Sequence, residues 1–126
     1  MQNENKDNDF SDFYSYHCCL TNLLDGKEIS DIRGHEDIIL TFGNPYYIYY
    51  FAKDIPGANI EKLENKLLNS TSCYSYFVEF AKNVKGANKE KIFKKLLELE
   101  EYFWINNFLE SVEFDKSNIE HLLLFT

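Results

Sequence analysis

Apolar positions return along this chain in a short, repeated cadence. They fall at Tyr47, Ile48, Phe51, Ala52 and Ile55, then at Ile60, Leu63, Leu67 and Leu68. The same order recurs at Tyr76, Phe77, Phe80, Ala81 and Val84, then at Ile92, Leu96 and Leu97. Spacing of i, i+1, i+4, i+5 and i+8 draws one stripe along an α-helix, so each run predicts an amphipathic helix. Aligning Tyr47–Asn59 with Tyr76–Asn88 gives an offset of 29 residues, with Phe-Ala-Lys and Gly-Ala-Asn in register. Weaker copies of the stripe appear upstream at Cys19, Leu20, Leu23 and Leu24, and downstream at Trp104, Ile105, Phe108, Leu109 and Val112. The repeat therefore covers nearly the whole sequence.

Each unit reads as a helical hairpin. After the first helix, Gly-Ala-Asn supplies a turn in which Gly is free to take positive φ. Asn59 or Asn88 then caps the second helix by accepting from its unpaired N–H groups. Matching caps are expected at Asp31 and Asn118, which makes the cap-to-cap spacings 28, 29 and 30 residues. One short hairpin cannot bury its own stripe, so neighbouring units must stack. The predicted fold is all-α, about four helical hairpins forming a small right-handed solenoid. Residues 1–10 are expected to be a flexible lead-in and 11–126 a single domain, with units at about 11–43, 44–71, 72–101 and 102–126. The link Glu98-Leu99-Glu100-Glu101 is a strong helix former compared with Asn69-Ser70-Thr71-Ser72, and predicts a helix that runs on without a break.

The string Tyr-x-x-x-Phe-Ala-Lys-x-x-x-Gly-Ala-Asn-x-x-Lys, from Tyr47 and again from Tyr76, resembles short tandem helical repeats in uncharacterised proteins of AT-rich bacteria, phages and large viruses. The resemblance covers about residues 31–100 and implies a helical-repeat fold and a mobile-element origin, with no activity to carry over. Twelve Lys to one Arg, Arg33, fit an AT-rich coding genome. Gly34-His35-Glu36-Asp37-Ile38-Ile39-Leu40 also looks like the second helix of an ankyrin repeat. The Thr-Pro-Leu-His signature and the period of about 33 residues are both missing.

Composition narrows the classes. The 126 residues suit one domain, 44% hydrophobic and 27% charged, and 17% of them are aromatic, the residue types that go to cores or to partner surfaces. The polar start Met1–Asp9 is no secretory signal, and no run approaches a membrane span. Three cysteines, with Cys18 and Cys19 adjacent, make no disulfide framework, so a reducing, cytoplasmic setting is expected, the host bacterial cytosol if the gene is a phage's. The net charge of −8 is unevenly spread: residues 1–45 carry −6, residues 46–95 carry +4 and residues 96–126 carry −6.

No catalytic motif emerges, and neither a catalytic residue, a metal site nor a cofactor is expected. His17-Cys18-Cys19 with Cys73 or His35 lacks the spaced pairs that let ligands reach one ion, and Cys19 falls on an anchor position. His35 takes the slot of Leu63, Ile92 and Leu122, which favours a partly buried structural histidine. His121 sits beside that slot. Glu61, Glu64, Glu98, Glu100 and Glu101 are expected on solvated helix faces.

Binding surfaces carry more of the signal. Positions off the anchor stripe align across units as Tyr46, Ser75 and Phe103; Tyr49, Val78 and Asn106; Tyr50, Glu79 and Asn107; and Lys53, Lys82 and Glu110. A partner is expected on Tyr46, Tyr49, Tyr50, Lys53, Glu79, Lys82, Phe103 and Glu110, because tyrosine offers large contact area at little rotamer entropy. Lys85, Lys89, Lys91, Lys94 and Lys95 form a basic patch. Nucleic acid is the lesser reading of it, since the chain is acidic overall. Phe10, Phe13, Tyr14 and Tyr16 are assigned to covering the end of the stack or to homo-oligomerisation. The function expected from the sequence is non-catalytic protein recognition, in its sharper form a phage or mobile-element inhibitor of a host nucleic-acid-handling defence enzyme, anti-CRISPR-like, acting on a basic nuclease or guide-RNA effector complex. Its alternatives are a nucleic-acid-binding repeat and a general interaction scaffold.

Overall fold

A computed structural model of the chain describes Leu20, Leu24, Asp25 and residues 27–70 and 73–114. Among the described residues the chain is all-helical, with six helices and no strand: α1 Ile29–Phe42, α2 Pro45–Asp54, α3 Ile60–Ser70, α4 Tyr74–Asn83, α5 Lys89–Leu99 and α6 Tyr102–Ser111. The expected roles of Phe10, Phe13, Tyr14, Tyr16, His17, Cys18, Cys19, Leu23, Asn118, His121 and Leu122 lie outside the described residues.

The two strong units repeat in their hydrogen bonds as well as in sequence. α2 ends when the Ile55 N–H reaches Phe51 O at 3.0 Å, and α4 ends identically with Val84 N–H on Phe80 O at 3.0 Å. Gly57 and Gly86 then turn the chain at φ 89° and 93°. Next, the Asn59 and Asn88 side chains accept from the N–H groups of Lys62 and Lys91, both at 3.1 Å, and open α3 and α5 as the sequence requires. α6 stops the same way, Val112 N–H on Phe108 O at 2.9 Å, although no Gly-Ala-Asn follows it.

Two local expectations are corrected. Asp31 is not a cap: α1 starts three residues earlier than its repeat partner, with Glu28 in extended backbone before Ile29 and Asp31 inside the first turn. An acidic residue there complements the helix dipole without having to cap it. Nor does the helix run on through Glu98–Glu101. Glu100 adopts a left-handed φ of 57°, and the N–H groups of Glu100 and Glu101 return to Leu97 O and Leu96 O, which ends α5. Ile105, Phe108 and Val112 must face the core, and a straight continuation of α5 could not turn them there; burial outweighs local helix propensity.

The core follows the stripe. Ile48, Phe51, Phe77, Phe80 and Phe108 are fully enclosed, as are Leu63, Leu67, Ile92, Phe93 and Leu96 from the second helices. The leading anchor is different: Tyr47, Tyr76 and Trp104 are all half-buried, so the stripe has a wet edge. α2 packs on α1 and α3, α4 on α3 and α5, and α5 on α6, while α4 also touches both α2 and α6. Equivalent first helices therefore stand side by side.

The turn glycines should not be equivalent to mutation. A Cβ at Gly57 would come within 3.3 Å of the Cδ1 atoms of Ile29 and Ile32, whereas at Gly86 its nearest neighbour, Ile60, is 3.8 Å away. Both substitutions carry the positive-φ penalty of about 1–2 kcal/mol. Gly57→Ala should lower the urea midpoint further than Gly86→Ala does.

Candidate interaction surface

Two buried carboxylates join consecutive units, and one of them, Glu64, goes against the expectation of a solvated face. Glu36 in α1 is fully buried and Glu64 in α3 nearly so. Glu36 accepts from the Asn59 backbone N–H at 2.6 Å, and Glu64 from the Asn88 backbone N–H at 2.7 Å. In a capping box the helix's own third residue supplies that acceptor. Here the third residues are Lys62 and Lys91, and the carboxylate comes from the preceding unit. Glu36 is also held by Arg33 Nη1 at 2.5 Å, while Arg33 Nη2 donates to Gly57 O. Lys91 Nζ stands 3.8 Å from Glu64 and donates to Asn65 Oδ1. Burial raises the Glu64 carboxyl above its ordinary value, against the lowering effects of the Asn88 N–H and Lys91. The next equivalent position is Phe93, whose ring packs 5.2 Å from Phe108 and 6.0 Å from Phe114, so the carboxylate series gives way to an aromatic closure.

The tyrosine cluster forms, and it recruits a residue that had been assigned to the core. Tyr46 lies 4.8 Å from Tyr50, Tyr50 lies 4.8 Å from Tyr49, Tyr49 lies 5.7 Å from Tyr76, and Tyr76 closes the ring at 6.5 Å from Tyr46. Tyr49 is buried, and its hydroxyl accepts from Asn83 Nδ2 at 2.8 Å. Burial pushes its phenol up, partly offset by that hydrogen bond. Tyr76 is raised by burial and by the neighbouring phenols. Tyr49 therefore supports the cluster from beneath, while Tyr46 and Tyr50 are half-buried. Lys53 reaches over Tyr50, 5.5 Å from the ring centroid, and pairs with Asp54 at 3.2 Å. On α4, Glu79 is half-buried and accepts from Asn83, while Lys82 is exposed; on α6, Phe103 and Glu110 are exposed. The aligned positions thus give one side of α2, α4 and α6 a graded character, from tyrosine and lysine to phenylalanine and glutamate.

The basic patch is partly consumed by the fold. Lys91 serves the Glu64 clamp, and Lys89 Nζ donates to Glu113 O at 2.5 Å. Lys94 and Lys95 line an open groove with Leu68, Asn69, Lys91 and Glu98, and Lys85 sits by the Gly57 turn. A second groove, between α1 and α3, mixes Lys62 and Lys66 with Asp37. Neither groove carries an aromatic platform or a single sign of charge.

His35 is half-buried, as expected for its slot, and its Nδ1 is enclosed with no hydrogen-bond partner among the described residues. Cys73 is exposed and immediately precedes α4. No helix among the described residues is long and apolar enough to cross a membrane.

Compared with protein-family models, with curated proteins and with solved structures, the chain matches none.

Proposed function

We propose that the chain is a small right-handed stack of helical hairpins, of the tandem-repeat kind its Tyr-x-x-x-Phe-Ala-Lys…Gly-Ala-Asn strings resemble, and that it works by non-catalytic recognition of another protein. The observation that carries this reading is the side-by-side packing of α2, α4 and α6, which brings Tyr46, Tyr50 and Lys53 into line with Glu79 and Lys82 and with Phe103 and Glu110. Rows of aromatic and charged side chains on a rigid helical scaffold provide the contact area and low rotamer entropy that recognition uses. The narrower form is an inhibitor of a nucleic-acid-handling defence enzyme, in the manner of anti-CRISPR proteins. Acidic ends of −6 each would be steered electrostatically toward a basic channel.

Affinity capture from a low-GC bacterial lysate tests both. The expected result is a discrete protein whose recovery falls by about tenfold with Tyr46→Ala plus Tyr50→Ala, as removal of hot-spot rings does, and falls again in high salt. Equal recovery by the double variant would remove the tyrosine face from function. Indifference to salt would remove the defence-enzyme form.

A further inference from the structure

Two adjacent exposed rings cluster where α5 passes into α6, apart from the single exposed ring of Phe42 at the end of α1. Tyr102 and Phe103 are 65% and 69% exposed, and Leu99, three residues before Tyr102, is exposed as well. Repeat register accounts for this. Phe103 occupies the position of Tyr46, which in α2 is covered in part by Tyr76 of the adjoining α4. In α6 the equivalent ring, Phe103, is open instead.

Charge restricts what can cover it. From Leu96 to Phe114 there are five acids, Glu98, Glu100, Glu101, Glu110 and Glu113, and no Lys or Arg. Glu98, Glu100 and Glu110 are exposed and Glu101 is half-buried. Lysines reach only the two ends of this stretch: Lys91, Lys94 and Lys95 share a groove with Glu98, and Lys89 is seated on the Glu113 carbonyl, which leaves Glu100, Glu101 and Glu110 as the acids beside the exposed rings. Phe103 and Glu110 lie seven residues apart on α6 and share a helix face, with exposed Asn106 between them.

We propose that this α5–α6 junction is a docking surface for a cationic, amphipathic segment of a partner protein. Arg or Lys side chains of that segment pair with Glu100, Glu101 and Glu110, and its apolar side covers Tyr102 and Phe103. The proposal rests on the protein-recognition reading above and names the partner's chemistry. A guanidinium suits both parts of the surface, since it stacks on aromatic faces and binds carboxylates in bidentate fashion. Presenting the same surface of a second copy would set the five acids against their equivalents. An anionic lipid surface would be repelled likewise.

Trp104 makes the surface directly readable. It is the only tryptophan in the chain, it is half-buried, and its ring stands 4.8 Å from Phe103 in a T-shaped contact. The probe is a synthetic peptide of about fourteen residues with Arg and Leu at helical spacing, long enough to cover the junction. Titrated into the purified full chain, it should shift Trp104 emission saturably at one peptide per chain. Affinity should fall about tenfold or more with Glu100→Lys plus Glu101→Lys, with Phe103→Ser, and on raising salt from about 50 to about 500 mM. Glu101 makes no side-chain cap bond, so the charge reversal removes no hydrogen bond from the start of α6 and only the dipole interaction is lost, and unchanged circular dichroism and melting confirm that each variant is folded. Unaltered affinity in the charge-reversed protein overturns the proposal, as does silent Trp104 emission at saturation. So does a dimer seen by ultracentrifugation that Phe103→Ser dissociates. Loss of lysate capture with the Tyr46 and Tyr50 variant would leave this titration unchanged, so the two readings fail separately.

Discussion

Phe51→Ala and Phe80→Ala should each destabilise the fold by about 3–5 kcal/mol, the range for deleting a fully enclosed ring. Both side chains have no solvent exposure and occupy the same slot of consecutive units, 29 residues apart. Each sits on a first helix that packs against its own second helix and the neighbouring first helix, so the surroundings cannot close over the cavity from one side alone. Urea unfolding followed by circular dichroism should show the midpoint falling with little change in slope. Tyr47→Ala and Tyr76→Ala serve as internal comparisons, because those anchors are half-buried and should cost distinctly less. Since domains of this size are stable by only about 5–15 kcal/mol, the Phe51 and Phe80 double variant should be unfolded at room temperature. A near-zero effect at both phenylalanines would mean that the repeat register has been read incorrectly.

How much of this was legible in the sequence depends on the range of the interaction concerned. α2 to α5 were legible because stripe, glycine turn and asparagine cap are local signals that agree with one another. The start of α2 carried a further local signal that a periodicity reading passes over: Gly43 at φ 71° ends α1, and Asn44 then caps α2 ahead of Pro45. The break at Glu100 was not legible, because it is imposed by where Ile105 and Phe108 must go, against the preference of four good helix formers. Tyr49 shows the same limit within the candidate surface. Its position off the main stripe suggested exposure, yet α4 packs against α2 and supplies Asn83 to its hydroxyl. Spacing could place Tyr46, Tyr49 and Tyr50 on adjacent positions but could not tell which would be roofed. The glutamates were half legible: Glu36 and Glu64 recur 28 residues apart, five residues after Asp31 and Asn59, among apolar neighbours. A carboxylate repeated within an apolar stripe indicates a buried acceptor. What it accepts from lies in the next unit, beyond any local pattern.

Glu64 is where that long-range bond can be weighed. Glu64→Ala leaves the Asn88 N–H facing a cavity and should cost about 1–3 kcal/mol, the desolvation penalty of an orphaned donor. Glu64→Gln keeps an oxygen for Asn88 and removes the buried charge, so it should be far milder than Ala at neutral pH. The pH dependence separates charge from hydrogen bond. Burial raises the carboxyl in the folded chain above its ordinary value, so between those two values the folded state holds more proton than the unfolded one. The stabilising contribution is fully present below the ordinary carboxylate value and is lost as pH rises through the raised one. Chemical denaturation from about pH 8 to about pH 5 should therefore show the parent gaining stability relative to Glu64→Gln as pH falls through that window. A difference that stays flat with pH would mean that Lys91 and the Asn88 N–H fully offset the burial of the charge. If Glu64→Ala is as stable as Gln, the bond does not join the two units, and their register is set by the apolar stripe alone.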